Sequence, residues 1–375
     1  MPTSPLGIAL CVLAAALAGG VLYVAAVARH YRVRSPRPVR TLIRTSDGGT
    51  LAVYRRTPAV RRFEEPVLLC HGIATSHLNF DFDPPYSLAH VMADAGFECF
   101  SLDFRGTGPS RPPPGQARFD FSVDDLIDFD GPALVAHALA VTGARRAFWV
   151  GHSLGGLVGY GVATGPVGEE LAGLCALGAP VFFSFRPWIQ RVVRLSTWLA
   201  WPRALRQRGL TLALAPFLGY VTPSVADILM NPKNIRPSLQ RKVFAVLLQP
   251  IGRRLLLQFS DWITHDAFRS VDRSLDYRAR LAGLAVPALV MGGSQDQLAS
   301  AVAVQKQFAL LGSTDKTLML FGPENGDALA YGHGDLLLGA AAPTEVYPRI
   351  RDWLAAHATA AQAGAAEAAR AQGDG

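Results

Sequence analysis

The sequence predicts an α/β protein: a mostly parallel sheet covered by helices on both faces, entered through an antiparallel hairpin and interrupted by one long helical insertion. Three observations carry this prediction. Short apolar runs of strand length alternate with helix-length segments along most of the chain. The turn Asp47-Gly48-Gly49 between two strand-like runs opens the series as a hairpin. Later, roughly a hundred residues separate two consecutive strands, where one helix and a few loop residues are usual.

Residues 6–28 come first and carry no charged side chain over 23 positions. At about 1.5 Å per helical residue they cross a bilayer core of roughly 30 Å. Arg29, Arg32, Arg34, Arg37, Arg40 and Arg44 follow with no acid before Asp47, and the positive-inside rule places such a cluster in the cytoplasm. The reading favoured is an uncleaved single-pass anchor with the remaining domain cytoplasmic. The alternative is a signal peptide cut after Ala26-Val27-Ala28, with the domain exported.

After a basic linker over residues 29–40, strands are predicted at 40–45 and 50–55, then at 66–70 and 98–103, with a helix over 87–95 stopped by Gly96. A helix over 123–141 is broken at Pro132. A strand over 146–150, a helix over 154–163 and a strand over 171–177 complete the first half of the core. Strands at 286–291 and 316–321 and a helix over 344–356 complete the second. The core therefore comprises residues 41–180 and 283–357, the insertion is a helical cap over 181–282, and an Ala/Gly/Gln-rich stretch over 358–375 is a flexible tail. In the cap, Phe182, Phe183, Phe185, Trp188, Trp198 and Trp201 mingle with Arg186, Arg191, Arg194, Arg203, Arg206 and Arg208. Such helices either touch a bilayer or roof an apolar cleft, or form an ordinary subdomain with snorkelling arginines.

Composition narrows the function classes. In 375 residues, 50% are hydrophobic and 17% charged, which excludes disorder for most of the chain. The net charge of +7 is concentrated after the apolar segment and in the cap, which suits anionic lipid as a partner. Nucleic acid is excluded, because no recognised binding motif interleaves with the arginines. Cys70, Cys99 and Cys175 lie in or beside strand-like runs and read as reduced core thiols, in keeping with a cytoplasmic domain.

The chemistry resides in Gly151-His152-Ser153-Leu154-Gly155-Gly156, between a strand and a helix. That setting is a nucleophile elbow, which projects the Ser153 hydroxyl from a sharp turn. A hydroxyl needs a base to attack an ester, and the base needs an orienting carboxylate. Asp296 follows the strand over 286–291, and His333 follows the strand over 316–321, which completes the order Ser, Asp, His. Asp335 and Asp327 are fallback carboxylates in the histidine loop. Backbone N–H groups of Leu154, after the nucleophile, and of Ile73, in the His71-Gly72-Ile73 turn, are the expected oxyanion donors. The His71 side chain is expected to be structural. No metal or organic cofactor is needed for this chemistry.

From about Thr41 to Ala356 the chain resembles the α/β-hydrolase superfamily. The resemblance rests on Ser46-Asp47-Gly48-Gly49, His71-Gly72, the stretch from Asp103 to Ser110, the elbow, Asp296 and His333. It implies a cap between the sixth and seventh sheet strands and bracing roles for Asp103 and Arg105. Within the superfamily the chain looks most like acid lipases and related membrane-associated esterases, departing from acid lipases at Asp103 and Leu154. The expectation is a serine hydrolase acting on carboxylic esters of small-molecule or lipid-like character. Acyl transfer and thioester cleavage use the same acyl-enzyme and stand as the alternative. A non-catalytic scaffold would be marked by loss of a triad residue, and none is lost.

Overall fold

The computed structural model describes residues 4–34, 38–183, 185–218 and 226–361. Arg37 and residues 362–375 of the expected tail lie outside the described residues. Eight strands form one sheet: β1 Val39–Arg44, β2 Thr50–Arg56, β3 Val67–Cys70, β4 Cys99–Asp103, β5 Ala147–His152, β6 Leu171–Leu177, β7 Ala288–Gly293 and β8 Lys316–Phe321. Their spatial order is β1-β2-β4-β3-β5-β6-β7-β8. β2 pairs antiparallel with both β1 and β4, and every pair from β4 to β8 is parallel.

Strands β3, β5 and β6 are buried along their whole length, as parallel strands covered on both faces must be. The pleat sorts their apolar runs into two cores. Leu68, Cys70 and Trp149 face one core, lined by Leu134, Leu157 and Tyr160. Val67, Leu69, Phe148 and Val150 face the other, lined by Met92, Trp353 and Leu354. The thiols of Cys70, Cys99 and Cys175 are free and buried.

Several local signals act as expected. Ser87 Oγ caps Leu88–Ala95 by accepting the His90 N–H at 3.1 Å, and Gly96 ends that helix in the left-handed region at φ 104°. Elsewhere the boundaries move. The helix expected over 123–141 begins as Val123–Asp125, widens into a π-turn at Leu126–Asp130, and resumes as Gly131–Thr142. Pro132, without an N–H, stands at the start of the resumed helix, and the Gly131 N–H reaches back to Leu126 O. Strand β7 starts two residues later than predicted, because Pro287 cannot donate to the ladder. A helix at Ala301–Leu310 joins β7 to β8, although its apolar periodicity is weak. Residues 359–361 do not fray as the tail was expected to. The Thr359 N–H and hydroxyl both bond the Glu65 carboxylate at 2.8 Å, and Phe63 bridges to Ala360.

The N-terminal helix runs Pro5–His30, so the first two residues of the expected linker are helical. It is long and apolar enough to cross a membrane, and it projects with its apolar side chains exposed over most of its length. Between β6 and β7 the chain is mainly helical, with Pro187–Leu199, Arg208–Leu214, Pro237–Val246 and Arg253–His265 as its longer helices. Its aromatic residues divide. Phe183 is buried at 5.5 Å from the Trp262 ring and Phe182 and Phe185 pack on the sheet core, whereas Trp198 and Trp201 are 73% and 70% exposed.

Candidate active site

Strand β5 ends at His152, and Ser153 occupies the sharp turn before the helix Leu154–Ala163. Ser153 adopts φ 53° and ψ −117°, a conformation costing an L-residue about 1–3 kcal/mol. Neighbouring backbone enforces it. The Ser153 N–H bonds Leu177 O on β6 at 2.8 Å, and a Cβ at Gly155 would stand 1.9 Å from Cys70 O. Only glycine lets the elbow helix approach β3 this closely.

Asp296 and His333 come from the loops after β7 and β8. Their side chains meet with His333 Nδ1 at 2.8 Å from Asp296 Oδ2. The other carboxylate oxygen accepts the N–H groups of Leu298 and Ala299 at 2.8 and 2.7 Å, so both oxygens are engaged and the carboxylate is fixed. The two loops are strapped together, since Ser294 N–H bonds Phe321 O and Gln295 N–H bonds Tyr331 O. Gly178, in the left-handed region at φ 53° just after β6, lies under the pair: a Cβ there would stand 3.3 Å from Asp296 Oδ2 and from His333 Nδ1. Since Leu177 carries the Ser153 N–H and Gly178 abuts the Asp296–His333 pair, β6 aligns the three residues at one end of the sheet. Ser153 Oγ itself makes no hydrogen bond among the described residues, leaving it free to rotate.

The turn after β3 faces the elbow, for a Cβ on Gly72 would lie 3.3 Å from Ser153 Cβ. The Gly72 carbonyl lies 2.8 Å from His71 Nδ1 and accepts the Thr75 hydroxyl at 2.8 Å. His71 Nε2 accepts the Phe104 N–H at 3.2 Å. Burial lowers the His71 pKa, which keeps the ring neutral and leaves Nδ1 as the protonated nitrogen. Holding that carbonyl on one side turns the Ile73 N–H of the same planar peptide to the other. Neither the Ile73 nor the Leu154 N–H has a partner among the described residues.

His152 and Asn79 were not singled out by sequence, yet both join this network. Asn79 Oδ1 accepts the Gly72 N–H at 3.1 Å and stands 3.1 Å from His152 Nδ1. His152 Nε2 stands 3.1 Å from the His333 carbonyl. Burial, reinforced by neighbouring His333, lowers the His152 pKa to about 3. The one sequence signal for His152 is its place in the elbow pentapeptide; nothing local marks Asn79.

The fallback carboxylates point elsewhere. Asp335 accepts N–H groups from Gly332, Asn231 and the Asn234 amide at 2.8–3.1 Å, tying the histidine loop to the inserted segment. Burial outweighs these bonds and raises its pKa to about 6. Asp327 caps its own turn through the Gly322 N–H. Around the site, Asp103 accepts the His77 N–H at 2.8 Å and the Tyr54 hydroxyl at 3.0 Å, which braces the turn bearing Ile73. Buried Arg105 links Asp130 at 2.7 Å and Asp47 at 2.8 Å.

A parallel sheet with antiparallel β2, an elbow after β5, and loops after β7 and β8 converging on it define the α/β-hydrolase fold. Residues 65–199 match the family described as alpha/beta hydrolase fold. The chain is 33% identical over 123 residues to a tear acid lipase-like protein of Mesocricetus auratus, covering 31% of each. It is 25% identical over 356 residues to Lipase lipl-1 of Caenorhabditis elegans, covering 83% of this chain and 86% of that one. A soluble variant of monoglyceride lipase from Saccharomyces cerevisiae superposes with a TM-score of 0.61 at 18% identity, over 88% of this chain and 98% of that one. The chain thus has the α/β-hydrolase fold, and the relatives it resembles are named as lipases and esterases. It spans about a third of the length of the first curated relatives it matches, 31% and 32% in two of them.

Proposed function

We propose that the chain is a membrane-anchored serine hydrolase that cleaves carboxylic esters of apolar or lipid-like character. The observation that carries this reading is the 2.8 Å contact of Asp296 with His333 Nδ1, beside a serine held at an elbow. Ser153 Oγ attacks the ester carbonyl as its proton passes to His333 Nε2, and Asp296 holds the imidazole and stabilises its charged form. The N–H groups of Ile73 and Leu154 bind the developing oxyanion, each worth about 3 kcal/mol in the transition state. His333 returns its proton to the leaving alcohol, the acyl group stays on Ser153, and water activated by His333 releases the acid.

Likeness to lipases supports the ester class, and the exposed N-terminal helix supports anchoring. The arginines after that helix support a cytoplasmic catalytic domain. A C-terminal reporter active only in the cytoplasm tests the orientation. For the chemistry, membranes are labelled with a fluorophosphonate probe: wild type labels, whereas Ser153→Ala and His333→Ala do not. Equal labelling of Ser153→Ala overturns the mechanism.

A further inference from the structure

The N-terminal helix is not isolated from the rest of the molecule. Its last turns seat against the helix Arg208–Leu214 and the short 3-10 turn Ala215–Phe217 that continues it. Leu212 and Ala215 pack on Val27 with Ala245, flanked by Val24 and Tyr31. The Tyr23 hydroxyl donates to Ala213 O at 2.8 Å.

The opposite face of this element is unusual for water. Leu210, Leu214 and Phe217, spaced at i, i+4 and i+7, are 64%, 47% and 60% exposed. Residues 209–218 contain no charged side chain, and Arg206 and Arg208 stand just before them. Both faces are therefore apolar, whereas a helix at a protein–water surface has one polar face.

Depth relates this face to the bilayer. The uncharged run of the N-terminal helix ends at Ala28, and Tyr23 lies five residues earlier, about 7 Å deeper along the helix axis. If the helix spans a bilayer with Arg29 at the headgroups, Ala213 and its neighbours lie at that depth. Interfacial helices bury their apolar face roughly 5–10 Å.

We propose that residues 209–218 are a membrane-inserted element whose Leu210, Leu214 and Phe217 face enters a phospholipid bilayer beside the N-terminal helix. This rests on the reading of that helix as a membrane anchor. Arg206 meets anionic headgroups, and the segment between β6 and β7 is thereby held at the lipid surface.

The test uses the full chain in vesicles of phosphatidylcholine and phosphatidylglycerol. In a Cys11→Ser background, the fluorophore NBD is attached to single cysteines at Leu214→Cys, Phe217→Cys, Val12→Cys in the anchor and Val302→Cys on the exposed face of Ala301–Leu310. Nitroxide-bearing lipid is expected to quench the labels at 214 and 217 as strongly as the label at 12, with loss of the iodide quenching seen at 302. If 12 is in lipid but 214 and 217 are quenched by iodide like 302, the anchor stands and this proposal falls. Protection of 214 and 217 from both quenchers would reveal a second copy or a protein partner, and also overturns it. Iodide quenching at 12 overturns both readings. A thermal transition matching the parent protein confirms folding of each variant, and Leu210→Cys replaces any that fails.

Discussion

His152 Nδ1 lies 3.1 Å from Asn79 Oδ1, the oxygen that also accepts the Gly72 N–H. Through its other nitrogen, 3.1 Å from the His333 carbonyl, this one buried ring spans from the Ile73 turn to the histidine loop. A neutral imidazole has a single N–H to give, so the ring acts as a spacer as well as a donor. On the proposed mechanism it is a positioning residue.

His152→Leu is expected to lower kcat about tenfold, or ~1.4 kcal/mol, with little change in KM. His152→Gln, which donates and accepts, restores most of it. Stability provides an independent readout. The folded pKa of about 3 lies below the ordinary value of 6.5, so between these pH values the unfolded chain binds more protons. This contribution is complete above about pH 6.5 and is lost on acidification toward pH 3. Thermal melts of His152→Gln from pH 7 to 4 should therefore fall less steeply than those of wild type.

Asp296 and Asp335 compete in sequence for the role of orienting His333, and their surroundings separate them. Asp296→Asn is expected to reduce kcat about 10³–10⁴-fold, by removing the carboxylate that sets the tautomer and supports the imidazolium. Asp335→Asn should leave kcat within a few fold. Its raised pKa of about 6 has the opposite stability sign to His152: between about pH 4 and 6 the folded state binds more protons, so this group's contribution declines as pH rises. Melts across that window should show the decline in wild type and not in Asp335→Asn. Rate loss of equal size in the two variants would refute the assignment.

Ser153 bears strain that its hydroxyl does not relieve. Ser153→Gly should be more stable than Ser153→Ala by about 1 kcal/mol, because glycine reaches φ 53° without a Cβ penalty. Both variants are expected to be inactive. Chemical denaturation measures the difference, and equal midpoints would show that the elbow is relaxed.

The elbow, the strand ends bearing Asp296 and His333, and the apolar N-terminal run were legible because each is written in consecutive residues. Periodicity and turn chemistry act over a few positions, and chain order does the rest once the strands are parallel. Boundaries slipped where the chain carried a cue whose outcome depended on packing, as at Pro132 and Pro287. The tail assignment missed residues 359–361 because their partner Glu65 lies 294 positions from Thr359 in the chain. Distance in sequence also hid the link between Asn79 and His152, 73 positions apart, and left three carboxylates open for His333. Hydrogen bonds from Leu298 and Ala299, or from Asn231 and Asn234, distinguish Asp296 from Asp335. The same holds for residues 209–218, whose apolar face gains meaning from the helix beside it. Local pattern determines which elements form and where a nucleophile is presented. Which polar groups are satisfied, and which apolar faces remain open, depends on neighbours that only the folded chain assembles.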